Sequence, residues 1–151
     1  AMLVEDYGVR VQVWSLTSAT ELARDIQDVG RWNLLHPTSE PKHAYVAQCM
    51  NENAGKKWMG TPVIAVSDYM KALPEQLRSA IDAPFHVLGT DGFGRSDSRE
   101  KLRHFFEVDA KFIVLATLTE LRARGLIEAK QITAFMKKEG IDQNKPNPLS
   151  H

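Results

Sequence analysis

The sequence predicts an α/β domain built on a parallel sheet. Three observations predict it. Up to Leu88, short β-branched runs alternate with segments of helical periodicity. Each run is bounded by glycine, proline or polar clusters. After Asp97 the remaining apolar residues recur at helical spacing, with no further strand. Strands alternating with helices imply parallel pairing with right-handed crossovers.

Size and charge narrow the class. The chain has 151 residues, 43% hydrophobic and 25% charged, which suits one soluble globular domain with a real core. Nineteen bases balance nineteen acids, so the long-range field is weak, and a general nucleic-acid binder is not expected. No apolar run approaches the ~20 residues needed to cross a bilayer, so no membrane partner is expected. Residues 1–7 carry two acids, no base and no cleavage pattern, so no signal peptide is read there. One cysteine, Cys49, forms no internal disulfide and no cysteine-rich zinc site. A reducing cytoplasm follows as the expectation, with Cys49 an inert helix residue.

Residues 1–8 read as the end of a helix closed by Gly8 in the left-handed conformation. That helix has no beginning, which suggests a chain cut within an element of a larger protein. Residues 9–16 alternate Val9, Val11 and Val13 and are expected to form the first strand. Ser18 and Glu21 have capping-box spacing and open a helix whose stripe is Leu22, Ile26 and Val29. Gly30 either ends that helix or lies within it. His36-Pro37 breaks it, residues 38–42 form a loop, and residues 43–51 form a short helix. Residues 52–61 are polar, with Gly55 and Gly60, and are expected to form a mobile loop.

Residues 62–66 make a second strand, with Pro62 at its first position. Residues 68–81 are expected to be helical in two pieces, Pro74 lying in the first turn of the second. Residues 85–88 form the third strand. A helix is expected from near Asp97, with Glu100 at capping-box spacing and with Leu102, Phe105 and Phe106 inward. Asp109 caps the next helix, residues 110–124, which is apolar on most faces and therefore central; Gly125 ends it. Residues 127–139 are a last amphipathic helix ending at Gly140, with Ile132, Phe135 and Met136 inward. The tail from Asp142 has two prolines and no periodicity, and is expected to be irregular.

Two segments carry candidate chemistry. In the first, a strand runs into Gly89, Asp91, Gly92, Phe93, Gly94, Arg95, Ser96 and Asp97, and a helix follows. Backbone N–H groups at a helix start attract anions, and Arg95 and Ser96 add donors. The spacing is neither the dinucleotide fingerprint nor the P-loop pattern. A tight turn needing positive φ angles is the preferred reading, with an anion or nucleotide site as the alternative. Arg95, Arg99, Lys101, Arg103 and His104 interleave with acids, as a solvated face or as an interface with another subunit. In the second segment, Arg31, Trp32, Asn33 and His36 lie close together. His36 is preferred as a hydrogen-bonded helix-end residue over a general base, because no acid or nucleophile is fixed beside it. No histidine or cysteine spacing predicts a metal site.

Longer motifs then become specific. Residues 22–25, 31–37, 67–71, 87–100 and 106–110 closely resemble the homodimeric pyruvate dehydrogenase decarboxylase component of bacteria, a thiamine-diphosphate enzyme related to transketolase. The resemblance covers nearly the whole chain. It implies the last of three domains, a three-layer α/β/α fold with a mostly parallel sheet like the transketolase C-terminal domain. Residues 1–151 would be a partial copy of that domain, lacking an initial strand that sits inside the sheet. It also implies that thiamine diphosphate and magnesium bind to the two preceding domains, so no catalytic, cofactor or metal residue is carried onto this chain. The implied partners are the other domains of the same chain, a second subunit of a homodimer, and the dihydrolipoamide acetyltransferase component.

Overall fold

The computed structural model describes residues 2–52 and 61–150. Within them, the order of elements is α1 (Met2–Tyr7), α2 (Ala19–Leu35), α3 (Tyr45–Ala47) running into a wider π turn (Gln48–Glu52), β1 (Val63–Val66), α4 (Ala72–Glu75), a 3₁₀ turn (Arg78–Ala80), β2 (Phe85–Leu88), α5 (Arg99–Phe105), α6 (Ala110–Ala123), α7 (Ala129–Glu139) and a 3₁₀ turn (Pro148–Ser150). The expected loop over residues 52–61 falls almost entirely outside the described residues. The chain divides into two compact units.

The first unit comprises Leu16–Ala65 and Lys71–Val87. Ser18 opens α2 by accepting a hydrogen bond from the Glu21 N–H, as its spacing predicts. Gly30 lies inside the helix, which runs on to Leu35. Apolar residues at helical spacing place Leu22 and Ile26 of α2 against a core of Leu77, Ile81, Phe85 and Val87. Val63 and Ala65 of β1 pack on the same core. The Val63 N–H donates to the Pro84 carbonyl, which starts the pairing of β1 with β2. Pro74 sits in the first turn of α4, where its missing N–H costs little.

The second unit comprises Ala1–Ser15, Val66–Met70 and Leu88–His151. Here the ladder continues in parallel register, the Ser67 N–H donating to the Leu88 carbonyl. Helix α6 packs on α7 and carries the buried stripe Phe112, Val114, Ala116 and Leu118. Leu118 is 0% and Phe135 of α7 is 1% exposed, so these two side chains mark the centre of this core. Asp109 accepts from the Lys111 and Phe112 N–H groups at the start of α6. Gly125 and Gly140, both at positive φ, close α6 and α7. At the far end of α7, Lys111 Nζ donates to the Glu139 carbonyl, a cation on the negative pole of a helix. Helix α1 is fastened by Tyr7 edge-on to Phe135 and by Lys138 on Asp6. Burial pushes the Tyr7 hydroxyl pKa up, and the hydrogen bond to Asp6 raises that of Lys138.

Four expectations need correction. The strand over residues 9–16 does not form: among the described residues the sheet has two strands, β1 and β2, not three. The segment takes no regular secondary structure, and Val13 is 88% exposed. Alternation makes a segment fit for a sheet, but only a neighbouring strand supplies the ladder. The first helical piece over residues 68–71 is a bend instead. Ser67 Oγ accepts from the Tyr69 N–H, and Thr90 donates its N–H to the Tyr69 carbonyl and its hydroxyl to the Asp68 carbonyl. These partners take the groups that a helix would have used. Helix α5 is capped by Ser98, whose Oγ accepts from the Lys101 N–H, while Asp97 accepts from the Ser98 N–H one residue ahead. Leu102, Phe105 and Phe106 are half-buried rather than buried. The α/β class with parallel pairing stands.

Candidate functional site

The glycine-rich turn leaves β2 at Gly89, which is buried, and comes to the surface from Gly92. Phe93 is 74% exposed, and Gly94, Arg95, Ser96, Asp97 and Arg99 are exposed with it; Asp91 is half-buried. Of the three glycines only Gly92 has positive φ, at 112°. A Cβ there would stand 2.2 Å from the Pro148 carbonyl oxygen. Glycine is thus required at this position by conformation and by the close approach of the C-terminal tail. Arg95 does not point to an empty site: its guanidinium lies 4.0 Å over the ring of Phe105, in cation–π contact.

Helix α5 has seven residues, so its pole is weak. Its exposed face carries Arg99 and Arg103, which line an open cleft of about 530 Å³ together with Glu100, Val108, Asp109 and Ile113. Both oxygens of Asp109 are engaged. Oδ1 caps α6, and Oδ2 lies 2.9 Å from His104 Nδ1. Lys101 pairs with Asp97 at 3.7 Å across one helical turn.

The second cluster sits at the end of α2. The His36 ring stacks on Trp32 with centroids 4.3 Å apart and planes 9° from parallel. His36 Nδ1 lies 2.8 Å from the Trp32 carbonyl oxygen. A carbonyl only accepts, so that nitrogen carries the proton. Lys42 Nζ lies 4.1 Å over the Trp32 ring. Asn33 fixes the loop that brings Lys42 there: its Nδ2 donates to the Lys42 carbonyl at 2.9 Å, and its Oδ1 accepts from the Lys42 N–H at 2.8 Å. Arg31 is exposed beside this cluster. These polar contacts of Trp32, Asn33 and His36 are thus spent on closing the helix and its loop. Nearby, Asp25 accepts from the Tyr45 N–H, and the contact with Cys49 pushes the Tyr45 hydroxyl pKa up.

Three residues were not singled out by the sequence reading. Lys42 sits in a polar loop where one lysine resembles another. Glu107 is the sole non-glycine residue of positive φ among those described, and follows α5 in a helix-closing Schellman turn. Lys145 lies in the aperiodic tail, yet its side chain is only 16% exposed. Its ammonium donates to the Phe105 carbonyl at 2.7 Å and to Glu107 Oε1 at 3.0 Å. The only available signal was compositional, a lysine just ahead of Pro146 and Pro148.

Residues 1–109 match the family model described as transketolase-like TK C-terminal domain. The chain is similar to the protein named pyruvate dehydrogenase E1 component in several bacteria. It is 51% identical to that of Escherichia coli (strain K12) over 148 residues, covering 97% of this chain and 16% of the relative. Identity is 50% over 149 residues with the protein of Pseudomonas aeruginosa, covering 98% of this chain and 16% of the relative. With that of Cupriavidus necator it is 48% over 149 residues, covering 99% and 16%. The matched part is their C-terminal region, and the chain spans 16% of the length of these relatives.

Proposed function

Because this chain belongs to the transketolase-like TK C-terminal domain family, we propose that it serves as the non-catalytic C-terminal part of a pyruvate dehydrogenase decarboxylase component. The observation that carries this reading is the extent of the match: 97% of the chain aligns at 51% identity with one end of a protein of that name. In this reading the whole protein decarboxylates pyruvate and passes the two-carbon unit to the lipoyl group of the dihydrolipoamide acetyltransferase component. Thiamine diphosphate with magnesium supplies that chemistry, held by polypeptide beyond these 151 residues.

The residues present do not fit that cofactor. Magnesium needs several oxygen ligands, and among the described residues no group of three or more His, Cys, Asp or Glu could hold a metal ion. The cleft beside α5 offers one carboxylate, Glu100, between two arginines, and a second, Asp109, whose oxygens are already engaged. No catalytic step is therefore assigned to a residue of this chain.

What the chain contributes is structural. Residues 9–16 carry alternating valines, and residues 10–16 are exposed, which supports a sheet completed by other domains of the same chain. The turn from Gly89 to Asp97, with Arg99, meets another domain or the partner subunit of a homodimer and so stabilises the dimer. Three features support this use over anion binding: Arg95 is spent on Phe105, α5 is short, and Pro148 crowds Gly92. Trp32, Asn33 and His36 keep the end of α2 and its loop in shape, and the exposed Arg31 beside them is left for an interface. The similarity to bacterial pyruvate dehydrogenase components supports a cytoplasmic place of work. No described helix is long and apolar enough to cross a membrane.

Calorimetry of the purified chain with thiamine diphosphate and magnesium tests the reading. No binding and no release of carbon dioxide from pyruvate are expected; micromolar cofactor binding would overturn it. Inorganic phosphate titrated against the backbone amides of the turn separates the alternative. Saturable shifts there would favour an anion site. Capture of the acetyltransferase component by the whole enzyme, compared with an Arg95→Ala, Arg99→Ala variant, tests whether the turn also docks that partner. Equal capture would exclude these arginines.

A further inference from the structure

Helix α5 is too short to be stable on its own, since helices below ~12–15 residues are marginal in water. It buries no residue fully. Something besides its own backbone must hold it, and the C-terminal tail touches the chain at both of its ends. At the end of α5, Lys145 Nζ bonds the Phe105 carbonyl and the Glu107 carboxylate, and lies 5.2 Å and 5.7 Å over the rings of Phe105 and Phe112. Before α5, the Pro148 carbonyl lies against Gly92 in the space a side chain would need. Arg95 joins the two ends, reaching from the turn to the ring of Phe105 that Lys145 also faces.

We propose that residues 141–150 form a strap that fastens α5 and the turn ahead of it, with Lys145 as the buckle and the Gly92–Pro148 contact as the second anchor. The tail is built for this use. Ile141 is buried, and its N–H closes α7, which fixes where the tail departs. Asp142 and Asn147 accept hydrogen bonds from the Asn144 and Leu149 N–H groups, which shape the aperiodic chain between and beyond the anchors. Glu107 holds a conformation costly for a residue with a Cβ, and its carboxylate is in place for Lys145. The strap lies outside residues 1–109 that match the family model, whereas its anchors Gly92, Phe105 and Glu107 lie within them. The strap thereby sets whether the exposed turn is presented as a rigid surface or a loose one.

Hydrogen exchange on the intact protein tests this without reference to its activity, so failure of the strap and failure of the functional reading remain distinct. The amides of Leu102, Phe106 and Val108 are hydrogen-bonded within and just after α5 and report on that helix. In Lys145→Met they should exchange at least tenfold faster, together with the Ser150 amide of the tail, while the amides of α6 keep their wild-type rates. Acceleration confined to the tail, or no change, would overturn the proposal. Should Lys145→Met accelerate exchange everywhere, Gly92→Ala decides, because it presses on the strap from its other anchor and leaves Lys145 intact. Faster exchange in both the tail and α5 would support the strap, and unchanged exchange in the tail would overturn it.

Discussion

Replacing Asp109 separates two roles that one side chain combines. Its Oδ1 accepts from the Lys111 and Phe112 N–H groups at 2.9 Å and 3.0 Å, and its Oδ2 lies 2.9 Å from His104 Nδ1. Loss of a helix N-cap costs about 1–2 kcal/mol. The contact with His104 is worth less: with that side chain 42% exposed, solvent screening leaves at most about 0.5 kcal/mol. Capping therefore dominates. Asp109→Ala should destabilise the start of α6 by about 1–2 kcal/mol, a ~5–30-fold rise in opening. Asp109→Asn keeps an acceptor oxygen and should change little, as should His104→Ala. The assay is amide exchange at Ile113, whose N–H donates to the Asp109 carbonyl at 3.1 Å. The reasoning fails if Asn is as harmful as Ala, or if Ala changes exchange less than twofold.

Other outcomes follow from the same geometry. Phe135→Ala empties the centre of the α6–α7 core and removes the edge contact with Tyr7, so a loss of about 3–5 kcal/mol is expected in urea unfolding. A loss below ~1 kcal/mol would contradict that packing. Asn33→Ala removes both bonds to the Lys42 backbone, at about 1–2 kcal/mol in total. It should also mobilise Trp32, read as a fall in fluorescence anisotropy against a background lacking Trp14 and Trp58. The hydrogen bonds from Arg78 hold the Glu75 carboxyl below the usual glutamate range. A depressed carboxyl stabilises the fold above its unfolded pKa, and that contribution is lost as pH falls through the folded value. An NMR titration of the Glu75 carboxyl should show this lowered midpoint, and Arg78→Met should return it to the ordinary range. The effect on stability should be small, because both side chains are well exposed.

The parts of the fold that the sequence makes legible are those decided locally. Ser18 and Asp109 as caps, Gly8, Gly125 and Gly140 as left-handed ends, and the stripe through Phe112 and Leu118 all follow from short-range patterns. Distant partners hide the rest. Residues 9–16 have the composition of a strand, but pairing is a tertiary property. Residues 68–71 follow Thr90, twenty-odd positions away, rather than helix propensity. At the candidate turn, three glycines suggested several positive φ angles. One is enough, and the reason for Gly92 lies at Pro148, in a tail without any periodic signal. Lys145 escaped notice for the same cause: nothing in its neighbourhood foretells a carbonyl and a carboxylate some forty residues earlier in the chain.

The claim at the centre is that this sheet is finished by polypeptide outside the 151 residues. Amide exchange at Val11 and Val13 tests it directly, comparing the chain alone with the full-length enzyme. Rates near those of an unstructured peptide in the chain, slowed at least a hundredfold in the enzyme, are the predicted result. Equal rates in the two would contradict it.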